Sequence, residues 1–357
     1  MPSYVELNRI QDKALKARTI EGLQRLRHGL TQALPVRTAT QTLLLATWNL
    51  REFDSGKYGY RSDEAYFYIA EVVSRFDLVA IQEVREGLYA LQRLCRLLGP
   101  SWSYVVTDVT LGTSGNSERL AYLFDTSKVS FTGLAAELVL PTAKDPDPEV
   151  LQFARSPYVA GFRVGWAYLT LVTVHIYYGQ SVAVDPRRLQ EITAFGKTLA
   201  KNAAKLSAAP VYSPQGEPQR DNLLILGDFN IFNRKDVTME ALTMAGFLVP
   251  SELQDVPGSN VEKSKHYDQI AYYRQLQALK PQGRAGVFDF YEHVYRLEDE
   301  PLYAAQRAQK PGRSFKDWRT YQMSDHLPMW IEFGVDDADA YLQKLGSSLD
   351  DVTPGPV

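Results

Sequence analysis

Residues 222 to 230 read NLLILGDFN: an apolar run, a glycine, then an acid and an amide two positions apart. The run is short and ends in polar residues, the pattern of a buried strand rather than a helix. Gly227 permits a close backbone approach. In an extended chain Asp228 and Asn230 project the same way, so a carboxylate and an amide face one centre. An ordinary strand-to-turn junction uses the same residue types, so GDFN alone does not separate the two readings.

The same ending recurs in both directions along the chain. TLLLATWN (Thr42 to Asn49) and DLVAIQE (Asp77 to Glu83) are short buried strands that stop at an amide and an acid, and AYLTLVTVH stops at His175. SDHLP places Asp325 and His326 just before the apolar strand MWIEF. Strand ends gather along the rim of a sandwich, where rigid apolar strands hold their polar ends in place. Each signal is weak singly: an asparagine at a strand end is commonly a turn residue, and His175 reads equally as a satisfied, half-buried histidine. The joint pattern is much harder to reach by coincidence than by one active site.

Composition narrows the chemistry. With 357 residues, 45% hydrophobic and 23% charged, the chain has ample material for a buried core. One cysteine, Cys95, excludes internal disulfides and multi-cysteine zinc sites, and in LYALQRLCRLL it reads as a helix-face core residue. The remaining candidate ligands, carboxylates, amides and five histidines, favour a hard cation. Thirty-nine Lys and Arg against 42 Asp and Glu give a net charge of −3, so a polyanionic partner must be gripped by a local patch. No run reaches the roughly 18 apolar residues of a membrane span, and the first thirty residues mix charges where a secretion signal would have an apolar centre. A soluble, cytoplasmic protein is expected.

The chain organises as a helical N-terminal extension (1–40), a catalytic region (41–335), and a short helix with an acidic tail (336–357). Residues 4 to about 30 have helical spacing, Ser62 is placed to cap a helix through Phe76, and Pro186 opens another helix to about Leu206. Before the last of these helices SYVVTD, ERLAYLF and AGFRVG read as sheet strands, and YDQIAYY follows it as another, with loops expected at the prolines between Pro141 and Pro148 and at VYSPQGEPQR. Arg313, Lys316 and Arg319 with Trp318 and Tyr321, joined by Lys57 and Arg61, suit either a backbone-gripping patch or a solvated loop. Lys263 and Lys265 add to that patch only if the fold places them beside it.

The motifs TWN, QEVR, SER, FAR, TVH, GDFN, YDQI and SDH appear in the order found in the metal-dependent endonuclease/exonuclease/phosphatase superfamily, which this sequence resembles from about Thr42 to Phe333. The resemblance implies a four-layer α/β/β/α sandwich of two mostly antiparallel sheets with outer helices. It also implies Mg²⁺, or Mn²⁺, held by Glu83 with Asn49 and Asp325 in or next to its shell. Asp228 would orient or deprotonate the attacking water, and Asn230 would bond a phosphate oxygen. His326 oriented by Asp268, and His175 paired with Glu118, would complete a deoxyribonuclease-like centre, with Arg155 and Arg85 on the substrate phosphate. Which group is the base stays open. Three features depart from the deoxyribonuclease branch: Asn116 and Ser117 replace an aromatic residue before Glu118, the structural disulfides of that branch are absent, and the N-terminal helix is extra.

The implied reaction is hydrolysis of phosphodiesters in DNA, ahead of RNA, with nucleic acid as partner. One alternative is a phosphatase or phospholipase C-type enzyme acting on inositol phosphates or sphingomyelin, although such phosphatases carry GDLN where this chain has GDFN. A catalytically inactive binding module is a third reading, which loss of an acid or histidine would have favoured.

Overall fold

The computed structural model describes residues 2–53, 55–110, 115–140, 152–206, 221–309 and 312–350. The loops expected at Pro141 to Pro148 and at VYSPQGEPQR, and the tail beyond Asp350, lie outside the described residues.

In chain order the strands are β1 (Thr42–Phe53), β2 (Leu78–Arg85), β3 (Trp102–Val106), β4 (Glu118–Asp125), β5 (Ser130–Glu137), β6 (Tyr158–Val164), β7 (Ala167–His175), β8 (Asp221–Asp228), β9 (Phe247–Leu248), β10 (Asp268–Tyr273), β11 (Lys280–Val287) and β12 (Met329–Gly334). The helices are α1 (Lys13–Ala33), α2 (Asp63–Val73), α3 (Tyr89–Leu98), α4 (Pro186–Asn202), α5 (Val237–Met244), α6 (Ser251–Gln254), α7 (Ala304–Ala308), α8 (Phe315–Gln322) and α9 (Ala338–Asp350).

Two six-stranded sheets form, ordered β11-β12-β1-β2-β4-β3 and β5-β6-β7-β8-β10-β9. Each has one parallel pair at its centre, β1 with β2 and β7 with β8, and is otherwise antiparallel. Alternation along β1 shows the layering. Leu43 and Leu45 point into the core between the sheets, whereas Leu44, Ala46 and Trp48 pack under α1, α2 and α3. Residues of α4 and α5 cover the outer face of the second sheet. The expected α/β/β/α sandwich is therefore observed. Burial on both faces is why these strands read as continuous apolar runs.

Some local expectations change. The N-terminal helix is broken: a 3₁₀ turn at Tyr4–Arg9 precedes α1, because Asp12 caps the new helix by accepting from the Ala14 and Leu15 amides at 2.8 and 3.1 Å. Leu23, Leu26 and Leu30 of α1 are buried against α2 and the first sheet. Ser62 caps α2 as expected, accepting from the Ala65 amide at 3.2 Å. Cys95 packs half-buried on α3, where burial pushes its thiol up to about 12. None of the described helices is long and apolar enough to cross a membrane.

Candidate active site

Adjacent parallel strands finish at the same edge of a sheet, so each central pair delivers two polar ends together. In one sheet Asn49 pairs with Gln82, next to Glu83; in the other His175 pairs with Asp228. The antiparallel neighbours bring their first residues to the same rim: Asp268 of β10 lies opposite Asp228, and Glu118 of β4 opposite Arg85. Asp325 and His326 arrive just before β12.

The rim departs from regular strand geometry at several of the predicted site residues. β2 slips register against β4 between Ile81 and Val84, and Glu83 there has φ 60°. Such a bulge turns a side chain out of the ladder toward a site. Glu52, Asn116 and Asn230 also lie in the left-handed region, at φ 52°, 56° and 52°. Asn230 is thus not extended after Asp228; it turns back so that its own amide donates to Asp228 Oδ1 at 2.9 Å. Gly227 makes the close approach its sequence suggests: at φ 136°, a Cβ there would sit 2.3 Å from the Val174 carbonyl oxygen.

Asn49 links the sheets, its amide donating to Glu83 Oε1 at 2.9 Å and to Asp228 Oδ2 at 3.0 Å. His175 Nδ1 lies 2.9 Å from Glu118 Oε2, and its Nε2 reaches Asp228 Oδ2 at 3.5 Å and Glu83 Oε1 at 4.0 Å. His326 repeats the arrangement, with Nδ1 2.7 Å from Asp268 Oδ2 and Nε2 3.7 Å from Asp228 Oδ2. Asn230 donates to the Ile176 carbonyl at 2.8 Å. Ser324 braces the turn by donating to the Asn49 carbonyl at 2.6 Å and accepting from the His326 amide at 3.0 Å.

Burial and neighbouring charges set the protonation states. Burial raises the Glu83 carboxyl, and the carboxylates of Glu118 and Asp325 push the same way. Burial would also raise Glu118, but His175 and Arg155 outweigh it and hold that carboxyl at about 2. Burial opposes charge on His326, yet Asp268, Asp228 and Asp325 together hold its imidazole well above the ordinary value. For His175, burial and Arg155 oppose protonation, and Glu118 and Asp228 overcome them.

A cleft of about 380 Å³ is lined by Glu83, Glu118, Arg155, His175, Asp228, Asn230, Asp325 and His326. Asn49 and Asp268 stand directly behind it, fully buried. Arg155 lines the cleft but grips Glu118 through two bonds, at 2.5 and 3.2 Å. Arg85, expected on phosphate, instead sits between Glu52 and Glu118, at 3.4 and 3.7 Å, and is not among the cleft-lining residues.

The expected basic patch divides. Arg61 is buried and donates to the backbone carbonyls of Leu50, Arg51, Glu52, Gln322 and Met323. Arg319 is buried, bonded to the Tyr295 carbonyl, and Trp318 packs in the outer core. The segment around them is the helix α8, opened by Ser314, rather than a loop. Lys263 pairs with Asp289 and Glu292, and Lys265 lies over Phe232. Tyr321 does reach the cleft, stacked on Tyr58 at 4.5 Å with Arg313 4.3 Å from its own ring.

Sequence reading missed Arg51, Glu52, Tyr178 and Tyr267, all of which line the cleft. Arg51 stands 3.4 Å from Asp325 and over the Tyr321 ring at 4.0 Å. Its position two residues after Asn49 was the available signal, obscured because β1 continues to Phe53, beyond the apolar run that ends at Asn49.

Among the described residues, no three His, Cys, Asp or Glu side chains converge closely enough to enclose an ion. The donors present fit a more open oxygen site. With its amide nitrogen spent on Glu83 and Asp228, Asn49 keeps a buried Oδ1 that has no hydrogen-bond partner, beside the Glu83 carboxylate. Mg²⁺ is commonly held by one or two carboxylates, with water completing its shell.

No family model matches the chain. A deoxyribonuclease from Thioalkalivibrio sp. (strain K90mix) is 27% identical over 300 residues, covering 83% of this chain and 72% of that protein. Among solved structures, an endonuclease/exonuclease/phosphatase family protein from Bacteroides thetaiotaomicron superposes with TM-score 0.52 at 16% identity, over 83% of this chain and 98% of that one. A mannosyl-6-phosphatase from the same species gives TM-score 0.52 at 17% identity, over 82% and 99%. The resemblance suggested by the ordered motifs is borne out, and the chain has the fold of endonuclease/exonuclease/phosphatase family proteins.

Proposed function

We propose that the protein is a divalent-metal-dependent phosphodiesterase of the nuclease type, which hydrolyses DNA by in-line attack of water. The observation that carries this reading is the pair of imidazole–carboxylate couples whose Nε2 atoms both approach Asp228, at 3.5 and 3.7 Å. Hydrolysis of a diester needs positive charge on the phosphate oxygens, an acceptor for the water proton and a donor for the leaving oxygen. Two oriented imidazoles around one carboxylate supply that set. The deoxyribonuclease relative supports the same class.

Asp268 fixes His326 with Nε2 toward the cleft, and three carboxylates favour its charged form, so it donates to a phosphate oxygen. His175, oriented by Glu118, holds a proton for the leaving group. Asp228, anchored by Asn49 and the Asn230 amide, orients the water. Asn230 and Arg155 face the phosphate, while Arg85 steadies Glu118. Glu83, Asp325 and Asn49 Oδ1 would hold Mg²⁺, or Mn²⁺, which when bound supplies charge stabilisation to the phosphoryl oxygens.

The competing substrate class is a phosphate monoester, since the fold also carries a mannosyl-6-phosphatase. An EDTA-reversible assay comparing duplex DNA, single-stranded DNA, RNA, inositol phosphates and mannose 6-phosphate tests the reading. DNA should be hydrolysed fastest; preferred release of phosphate from a monoester would overturn it.

A further inference from the structure

A second cavity, of about 570 Å³, adjoins the cleft and shares with it Arg51, Tyr267, Asp325 and His326. Its outer wall comes from the long connection between β11 and β12, through Leu297, Ser314 and Lys316. We infer that this cavity is a binding subsite for the nucleotide unit adjoining the scissile phosphate, with the next phosphate on Lys316. The inference rests on the nuclease reading and specifies where the substrate runs.

A phosphodiester has a substituent on each side of phosphorus. The smaller cleft already holds the catalytic carboxylates and imidazoles, so a chain-like substrate needs a second compartment opening from the first. Arg51 and Asp325, 3.4 Å apart, form the boundary between them. The chemistry of the larger cavity suits a nucleotide. Tyr267 offers a ring beside His326, with centroids 5.5 Å apart, and Leu297 stands 50% exposed at the rim, an apolar surface without cover.

The charges also point to Lys316. Arg51 is engaged by Asp325, Asp317 and Tyr321, and Arg319 is turned inward to the Tyr295 carbonyl. Asp317 is taken up by Arg51 and Arg313, at 3.6 and 3.4 Å, and Glu262 accepts from Asn260 at 2.9 Å. Lys316 is exposed and makes no ion pair among the described residues. The wall itself is anchored: Arg18 donates to the Leu302 carbonyl at 3.0 Å, Arg25 to the His293 carbonyl at 3.0 Å, and Tyr303 to the buried Glu64 at 3.0 Å. Anchoring of this kind holds a binding surface in one geometry.

The test compares a short DNA duplex with bis(p-nitrophenyl) phosphate, a diester too small to span both compartments, in wild type and in the Lys316→Glu and Leu297→Glu variants. Both positions are exposed, so both variants should fold. The ratio of kcat/KM for duplex to that for the small diester should fall about tenfold in each, through KM. Equal changes on both substrates, or none on either, would overturn the subsite while leaving the nuclease reading intact. Wild-type protein inert toward both diesters would overturn the nuclease reading, and the subsite with it.

Discussion

Asp228 is the residue on which the others converge. It accepts from Asn49 and from the Asn230 amide, and two imidazoles approach one of its oxygens. Asp228→Asn should lower DNA cleavage by on the order of 10²–10⁴-fold, with the far-ultraviolet circular dichroism spectrum unchanged. His175→Ala should cost on the order of 10²-fold if, as proposed, its couple with Glu118 serves the leaving group; a loss below twofold in kcat would instead point to a single-histidine site. Gly227 shows how backbone limits the choice of residue. Gly227→Ala would force a Cβ against the Val174 carbonyl at an unfavourable φ, so chemical denaturation should show a loss of about 1–3 kcal/mol or more. Glu83 and Asp228 were legible because each ends an apolar run. The roles of Arg51, Arg61 and Arg85 were not, since a guanidinium bonded to carbonyls and one lining a cleft look alike in sequence.

Strands buried on both faces announced themselves, while two of the edge strands, β5 and β11, did not. β5 and β11 each pair with a single neighbour and are largely exposed, so SFTGLAAE and KPQGRAGV lack an apolar run. The bulge at Glu83 was equally hidden, because register belongs to the pair of strands and not to either sequence. Among the helices, α4 contributes a buried acid, Glu191, which accepts from the Ala154 amide at 3.3 Å and from the Tyr177 amide, next to cleft residues Arg155 and Tyr178. Burial raises its carboxyl to about 7 against these bonds and the nearby Arg155 and Arg187. The folded state then holds a proton that the unfolded chain releases near 4.5, so stability is lost as pH rises from about 4.5 to 7, by roughly 3 kcal/mol. Glu191→Gln should raise the Tm relative to wild type more at pH 8 than at pH 5. An equal difference at the two pH values would mean that Glu191 does not carry this loss.

At the scale of the whole molecule, two sheets with parallel centres meet so that their strand ends share one rim. The layers followed from the alternation of apolar runs and amphipathic segments, and the ordered motifs pointed to the site. The outer wall was less legible: α8 and the turns before it carry aromatic and basic residues that suit a loop as well as a helix, and their packing against α1 is set by buried partners such as Glu64. We propose that these rim residues hold a divalent ion and cleave DNA with it. The most direct measurement is plasmid cleavage by wild type and Glu83→Gln, each with Mg²⁺, after EDTA, and after Mg²⁺ is restored. Wild-type cleavage should vanish with EDTA and return with Mg²⁺, while Glu83→Gln stays at least about 10²-fold slower whenever Mg²⁺ is present. Wild-type cleavage that survives EDTA, or a Glu83→Gln protein that cuts at the wild-type rate, would contradict the account.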